Sequence, residues 1–295
     1  MNKTTATPSR CHVDITTVNE LTKAFEIPPA MIKDSPQSEV IGEGRFGTCT
    51  KAFLHGTLVC AKILQSCDSP SYHTKAAILH EAAILSKVRH PHICFLVGIQ
   101  TTKEPFQLIT VFYSVNNVSL SVYDTLSVAK LTEAKRHALK LVRPSLTLQV
   151  WLAIMKNLAE ALAFSHSKSI VHRDLKSDNV VLNKQGDSIH CVLVDFGKSN
   201  YVTKVRRYQL SEKEKEQYRR DHKHIAPDLV DGISDVSTAS DMYSYGRVLK
   251  NIITYFPLPI EAINTPIKKA IKQCLMYSDA ERPTAQHLVQ LLTET

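Results

Sequence analysis

Long apolar runs are missing from this 295-residue chain. The most notable one, Ile93–Ile99, is far too short to cross a bilayer, so no membrane span is expected. The first residues are polar and lack the apolar core of a signal peptide, so no secretory leader is expected either. No internal repeat is apparent, and no two cysteines form a Cys-x-x-Cys pair. The seven cysteines are odd in number and scattered, which points to free thiols in a reducing, cytoplasmic setting. Glycine is scarce, at nine residues, yet Gly42, Gly44 and Gly47 fall within six positions of one another.

The formal charge is +8, from 36 basic and 28 acidic residues. Those charges are interleaved rather than gathered into a basic face, and no nucleic-acid partner is expected. Two denser regions stand out. Ala129–Arg143 reads as a basic helical face, and residues 204–223 carry eight basic and four acidic side chains. The pairs His90/His92 and His222/His224 have no thiolate or carboxylate cluster to complete a zinc site. At 43% hydrophobic residues, the chain can build real cores.

Chemistry is concentrated in His172, Arg173, Asp174, Lys176 and Asn179, followed by Asp195, Phe196 and Gly197. Between these groups lie the apolar runs Val180–Leu182 and His190–Val194, joined by the turn-rich stretch Asn183–Asp187. Two adjacent strands are therefore predicted to deliver Asp174, Lys176, Asn179 and Asp195 to one end of a small sheet. Such a cluster suits divalent-metal binding and deprotonation of a hydroxyl. Upstream, the segment from Ile41 through Gly42, Glu43, Gly44, Arg45, Phe46, Gly47 and Thr48 to Cys49 reads as a glycine-rich hairpin. Lys62 follows in an apolar strand-like run, and Glu81 lies in a helix predicted over Lys75–Val88.

In these motifs, their order and their spacing, the chain resembles the eukaryotic protein kinases from about Ser38 to Leu292. It is most similar to the tyrosine-kinase-like group of serine/threonine kinases. The resemblance implies an α+β, bilobal fold with a small antiparallel-sheet lobe holding one key helix and a larger helical lobe. Residues 1–37 would be a partly flexible extension, 38–113 the first lobe and hinge, and 114–295 the second lobe. It implies ATP and magnesium as cofactors and protein substrates as partners, with an upstream kinase or a second copy acting in trans as activator.

By that resemblance the glycine-rich residues cover the ATP phosphates and Lys62, held by Glu81, grips them. Cys49, Ala61 and Val181 sandwich adenine, Thr110 guards the deep pocket, and Val111 and Tyr113 meet adenine through their backbones. Asn179 and Asp195 hold magnesium, Asp174 is the catalytic base, and Lys176 offsets charge on the γ-phosphate. Leu85, Leu96, His172 and Phe196 form a buried spine, and Asp241 accepts hydrogen bonds from the catalytic-loop backbone. Three departures are visible. Asp228 replaces the usual Glu before Arg282, though the buried pair is expected to survive. One helix, Pro266–Met276, fills a span where two are usual. Asp221 stands where a Thr normally bonds Lys176.

Beyond these motifs, a helix is predicted at Leu146–Ser167, a mostly helical stretch over Asn116–Pro144, and a buried helix at Ser240–Tyr255. Ser211 and Glu214 form a capping-box pattern ahead of a polar helix over residues 212–220. Ser199, Tyr201, Thr203, Tyr208, Ser211 and Tyr218 are candidate phosphoacceptors near Arg173 and other arginines. Alternatives to an active Ser/Thr kinase are a pseudokinase acting as scaffold or allosteric partner, a kinase of tyrosine or dual specificity, and a small-molecule kinase on the same fold.

Overall fold

The computed structural model describes residues 14–35, 39–44, 47–64, 71–127, 131–255 and 265–294. The chain divides into two compact units, one running to Arg89 and including Cys94–Phe112, the other comprising His90–Ile93 and Tyr113 onward.

The first unit opens with helix α1 (Ile15–Phe25), started by the Asp14 carboxylate accepting from the Thr17 N–H. Strands β1 (Ile32–Asp34), β2 (Val40–Gly44), β3 (Gly47–Leu54) and β4 (Thr57–Ile63) follow, then helix α2 (Ser71–Lys87) and strands β5 (Leu96–Gln100) and β6 (Gln107–Val111). The sheet runs β1-β3-β4-β6-β5, with β2 pairing β3. Strand parity sorts β4 into two faces: Val59 and Ala61 are buried, whereas Leu58, Cys60 and Lys62 are partly open. Ala52, Val59, Ala61 and Ile109 pack with Ile27 in one cluster, each large aliphatic contributing about 1.5–3 kcal/mol by burial.

Residues 14–34 are built into this unit. α1 packs on α2 and β5, Glu26 bridges Ile99 in parallel, and the Ile27 N–H donates to Ile99 O at 2.8 Å. The Glu26 carboxylate accepts from both the N–H and the hydroxyl of Thr101, at 2.7 and 2.8 Å. This close approach depends on Gly98. A Cβ there would lie 2.3 Å from Ile27 Cδ1 and 2.7 Å from Phe25 O.

The second unit carries β7 (Leu120–Ser121), α3 (Val122–Leu126), α4 (Glu133–Val142) and the 20-residue α5 (Leu148–Ser167). The helical stretch expected over Asn116–Pro144 is thus broken. A capping box at Ser121/Asp124 starts α3, which ends at Ser127, and the Thr132 hydroxyl caps a separate α4. α5 buries Trp151, Ile154, Met155, Leu158 and Leu162, the stripe that helical periodicity demands. Then come β8 (Ile170–Val171), β9 (Val180–Gln185), β10 (Ser188–Leu193) and β11 (Asn200–Tyr201). Helices α6 (Glu212–Asp221), α7 (Pro227–Val230), α8 (Thr238–Tyr255), α9 (Thr265–Cys274) and α10 (Ala285–Thr293) complete the unit. β10-β9-β7 form a small sheet and β11 pairs β8. None of the helices among the described residues is long and apolar enough to cross a membrane.

Gly98→Ala is expected to destabilise the protein by about 1–3 kcal/mol through overpacking, read as a lower urea midpoint. In an Ile27→Ala background the penalty should shrink, because the two nearest clashing atoms, Cδ1 and Cγ1 of Ile27, are gone and only Phe25 O remains. Equal penalties in both backgrounds would contradict this account of residues 26–27.

Candidate active site

In the first unit, Lys62 on β4 meets Glu81 on α2, Nζ to Oε2 at 2.7 Å. Glu81 shares a helix face with Ile78 and Leu85, three residues before it and four after, and is only 2% exposed. Breaking so buried a pair from one side costs about 3–5 kcal/mol, which commits the strand and helix to one arrangement. Opposite Lys62 across the ladder stands Cys49. Ile41, Gly42, Glu43 and Gly44 lie on β2, and Gly47, Thr48 and Cys49 on β3. Arg45 and Phe46, at the hairpin tip, lie outside the described residues. Among the described residues, nothing lies within 4 Å of where a Gly42 Cβ would stand, which leaves that backbone open to an anion.

Ala61 is not on this face. It points the other way, 2% exposed, into the cluster with Ile27 and Ile109. Two-residue periodicity gives its expected place to Cys60, which shares the Lys62 face and pairs with Thr110 on β6. Hydrogen bonding with Cys49 first, then with Thr110, outweighs burial and holds the Cys60 thiol below its ordinary pKa. Val111 ends β6, its N–H donating to Phe95 O at 3.1 Å.

In the second unit, β9 and β10 pair from Val180/Leu193 outward. The Val194 N–H donates to Asn179 O at 2.9 Å, so the groups before β9 and after β10 meet at one end. Val181 lies on β9, opposite Val192, and Tyr113 stands at this unit's start. The backbone here is strained: Arg173 has φ +68° and Asp195 φ +63°, the left-handed region that non-glycine residues seldom adopt. Asp241 on α8 secures the first of these, accepting from the N–H groups of His172 and Arg173 at 2.7 and 2.9 Å. His166 Nε2 lies 3.0 Å from the same carboxylate. Burial pushes the Asp241 pKa up, but the His166 hydrogen bond and neighbouring positive charge win and hold it down. The His172 ring lies 3.1 Å from Val194 O through Nε2 and packs edge-on against Phe196 at 4.7 Å.

Asp174 is 4% exposed. Its Oδ2 lies 3.5 Å from Lys176 Nζ and 3.4 Å from Asn179 Nδ2. Its Oδ1 lies 2.8 Å from Lys198 Nζ and 3.3 Å from His224 Nε2. Burial alone would raise this carboxyl, yet the His224 hydrogen bond and the Lys198 and Lys176 charges outweigh it and keep it ionised. Asn179 Nδ2 also donates to Asp174 O at 2.8 Å, so its Oδ1 is the atom suited to a cation. One carboxylate and one amide oxygen, Asp195 and Asn179, match magnesium, which keeps most of its waters.

A sequence model described as protein tyrosine and serine/threonine kinase matches residues 36–292. This chain belongs to the protein kinase family. It is 29% identical over 235 residues to tyrosine-protein kinase SPK-1 of Girardia tigrina, covering 79% of this chain and 41% of that protein. It is 30% identical over 221 residues to the RAF proto-oncogene serine/threonine-protein kinase of Xenopus laevis, covering 74% and 30%. With dual specificity protein kinase zakA of Dictyostelium discoideum it shares 27% over 225 residues, covering 73% and 26%. The chain spans less than half the length of these relatives.

The kinase's departures now have structural content. Asp228 and Arg282 do pair, both nearly inaccessible, and Arg282 also donates to Tyr277 O at 2.7 Å and Met276 O at 2.9 Å. One α-helix, α9, lies between α8 and Arg282 among the described residues. Asp221, by contrast, is exposed and pairs with Arg220 at 2.9 Å. The residues sequence reasoning missed at Asp174 are Lys198 and His224. The capping box at Ser211/Glu214 does start α6. Arg219 and the Tyr277 hydroxyl (2.6 Å) both bind Asp231, and Arg207 binds Asp235, so the activation segment (residues 195–228) is tied through its arginines to carboxylates that follow it. Ser199 is fully buried with its hydroxyl on His172 O, which removes it from the accessible phosphoacceptors.

His90, His92 and His190 cluster with ring centroids 5.5–5.7 Å apart. Burial lowers the pKa of each, so His92 stays neutral although Glu160 is 3.6 Å away. A depressed folded pKa means the unfolded chain binds protons first as pH falls below about 6.5. Stability should therefore be fullest above that pH and decline as the pH falls below it. A His90→Gln/His190→Gln variant should show a shallower decline in denaturant titrations; an identical slope would contradict the assignment.

Proposed function

We propose that this domain is an active, ATP- and magnesium-dependent kinase that transfers the γ-phosphate to Ser or Thr hydroxyls of protein substrates. The observation that carries the reading is Asp174, a buried carboxylate kept ionised by hydrogen bonds and lysines within a strained loop. A base in that state can orient a hydroxyl and take its proton as the oxygen bonds to the γ-phosphorus. The bond to the bridging oxygen then breaks and ADP leaves. Lys62, steadied by Glu81, would grip the α- and β-phosphates, and Lys176 would offset charge on the γ-phosphate. Magnesium, when bound, neutralises phosphate charge; Asp195 and Asn179 would hold it. Thr110, Val111, Tyr113, Cys49, Val181 and, in place of Ala61, Cys60 would contact adenine.

Loss of Lys62, Asp174 or Asp195 would mark a scaffold, and all three are present. Lys176 favours Ser/Thr acceptors over tyrosine. Among the relatives are proteins named as serine/threonine, tyrosine and dual specificity kinases. The five described cysteines are free thiols, which suits a cytoplasmic setting; Cys11 and Cys67 lie outside the described residues. Activation by an upstream kinase or by a second copy in trans would act on accessible hydroxyls such as Thr203.

The test is purified protein with magnesium and labelled ATP, read by phosphosite mapping of the protein and of a peptide library. Asp195→Asn is expected to abolish transfer and weaken magnesium binding. Asp174→Asn should keep ATP binding and cut turnover by at least ~100-fold. Equal activity in the wild type and both variants would defeat the reading, and phosphotyrosine alone would replace the Ser/Thr assignment.

A further inference from the structure

The Asp174 carboxylate is held from two directions. Lys176 and Asn179, from its own loop, face Oδ2. Lys198 and His224, from the activation segment, face Oδ1. The two donors on Oδ1 differ in exposure. The Lys198 side chain is 42% exposed on a long flexible stem, whereas that of His224 is 15% exposed.

His224 is pinned at several points. Its carbonyl accepts from the Ser244 hydroxyl on α8 at 2.7 Å. Its ring meets His222 edge-on at 5.9 Å, and His222 tilts against Tyr218 of α6 at 4.9 Å. Ile225, next in the chain, packs against the cluster formed by Val171, Ala226, Leu229 and Val236. The ring thus reaches Asp174 from a backbone tied to both α6 and α8.

We propose that His224 is a positioning residue for phosphotransfer: its Nε2–H donates to Oδ1 of Asp174 and fixes the carboxylate plane against the incoming hydroxyl. Lys198, the more exposed donor on the same oxygen, is the group an acceptor hydroxyl displaces, while His224 remains. Position 221, where the resemblance puts a Thr that bonds Lys176, instead holds an Asp paired with Arg220, and the activation segment reaches Asp174 three residues later, through His224. The inference rests on reading Asp174 as the base.

The experiment compares wild type, His224→Gln and His224→Phe for thermal midpoint, kcat and KM for ATP. Gln presents an amide N–H near the place of Nε2–H; Phe keeps the ring volume without a donor. His224→Phe is expected to lower kcat by about 10- to 100-fold with KM for ATP little changed, and His224→Gln to recover most of the loss. If His224→Phe does not fold, His224→Asn, whose amide falls short of Oδ1, takes its place. Equal kcat in the donor and non-donor variants overturns the proposal while leaving the kinase reading intact. A wild type without phosphotransfer overturns the kinase reading, and the positioning role with it.

Discussion

The buried carboxylate of Asp241 is the constraint on which the catalytic unit depends. It receives the N–H groups of His172 and Arg173 and lies against the His166 ring. Without those acceptors, Arg173 would have little reason to stay at positive φ, and the loop carrying Asp174, Lys176 and Asn179 would relax. Hydrogen bonds to a charged acceptor contribute about 1.5–3 kcal/mol each, enough to offset strain of about 1–3 kcal/mol. A helix therefore sets the geometry of a loop about seventy residues before it, and does so through one side chain.

The activation segment is organised by the same means, charge placed where backbone and rings need it. Arg207 and Arg219 tie it to Asp235 and Asp231, and Ser211 with Glu214 caps its helix. Most of these contacts are exposed, so each is worth little alone. Lys198 and His224 are different: both reach the buried Asp174, where desolvation makes their charge and polarity count.

Much of this was legible in the sequence because the information was local. The motifs around Asp174 and Asp195, the strand–turn–strand between them, the Ser211/Glu214 cap and the stripe of α5 each lie within a few residues. What was missed required either parity or distance. The resemblance sets Ala61 against adenine, but a β-strand alternates, and the residue that shares the Lys62 face is Cys60. The break in Asn116–Pro144 was signalled by Ser121, Asp124 and Thr132, whose capping value a basic-residue count obscures. His224 lies fifty residues from Asp174, and no local pattern joins them. The Glu26–Thr101 and Ile27–Ile99 contacts are likewise long-range, visible only once β5 offers an edge.

Asp241 preorganises the loop that carries Asp174, Lys176 and Asn179. Hydrogen exchange at the His172 and Arg173 amides, in wild type and Asp241→Asn, tests it most directly. An Asn keeps one acceptor oxygen but turns an N–H₂ toward the second amide and gives up the charge. Both amides are expected to be strongly protected in the wild type and to lose that protection selectively in the variant, while the amides of α5 stay protected. Unchanged protection at His172 and Arg173 in Asp241→Asn would contradict it.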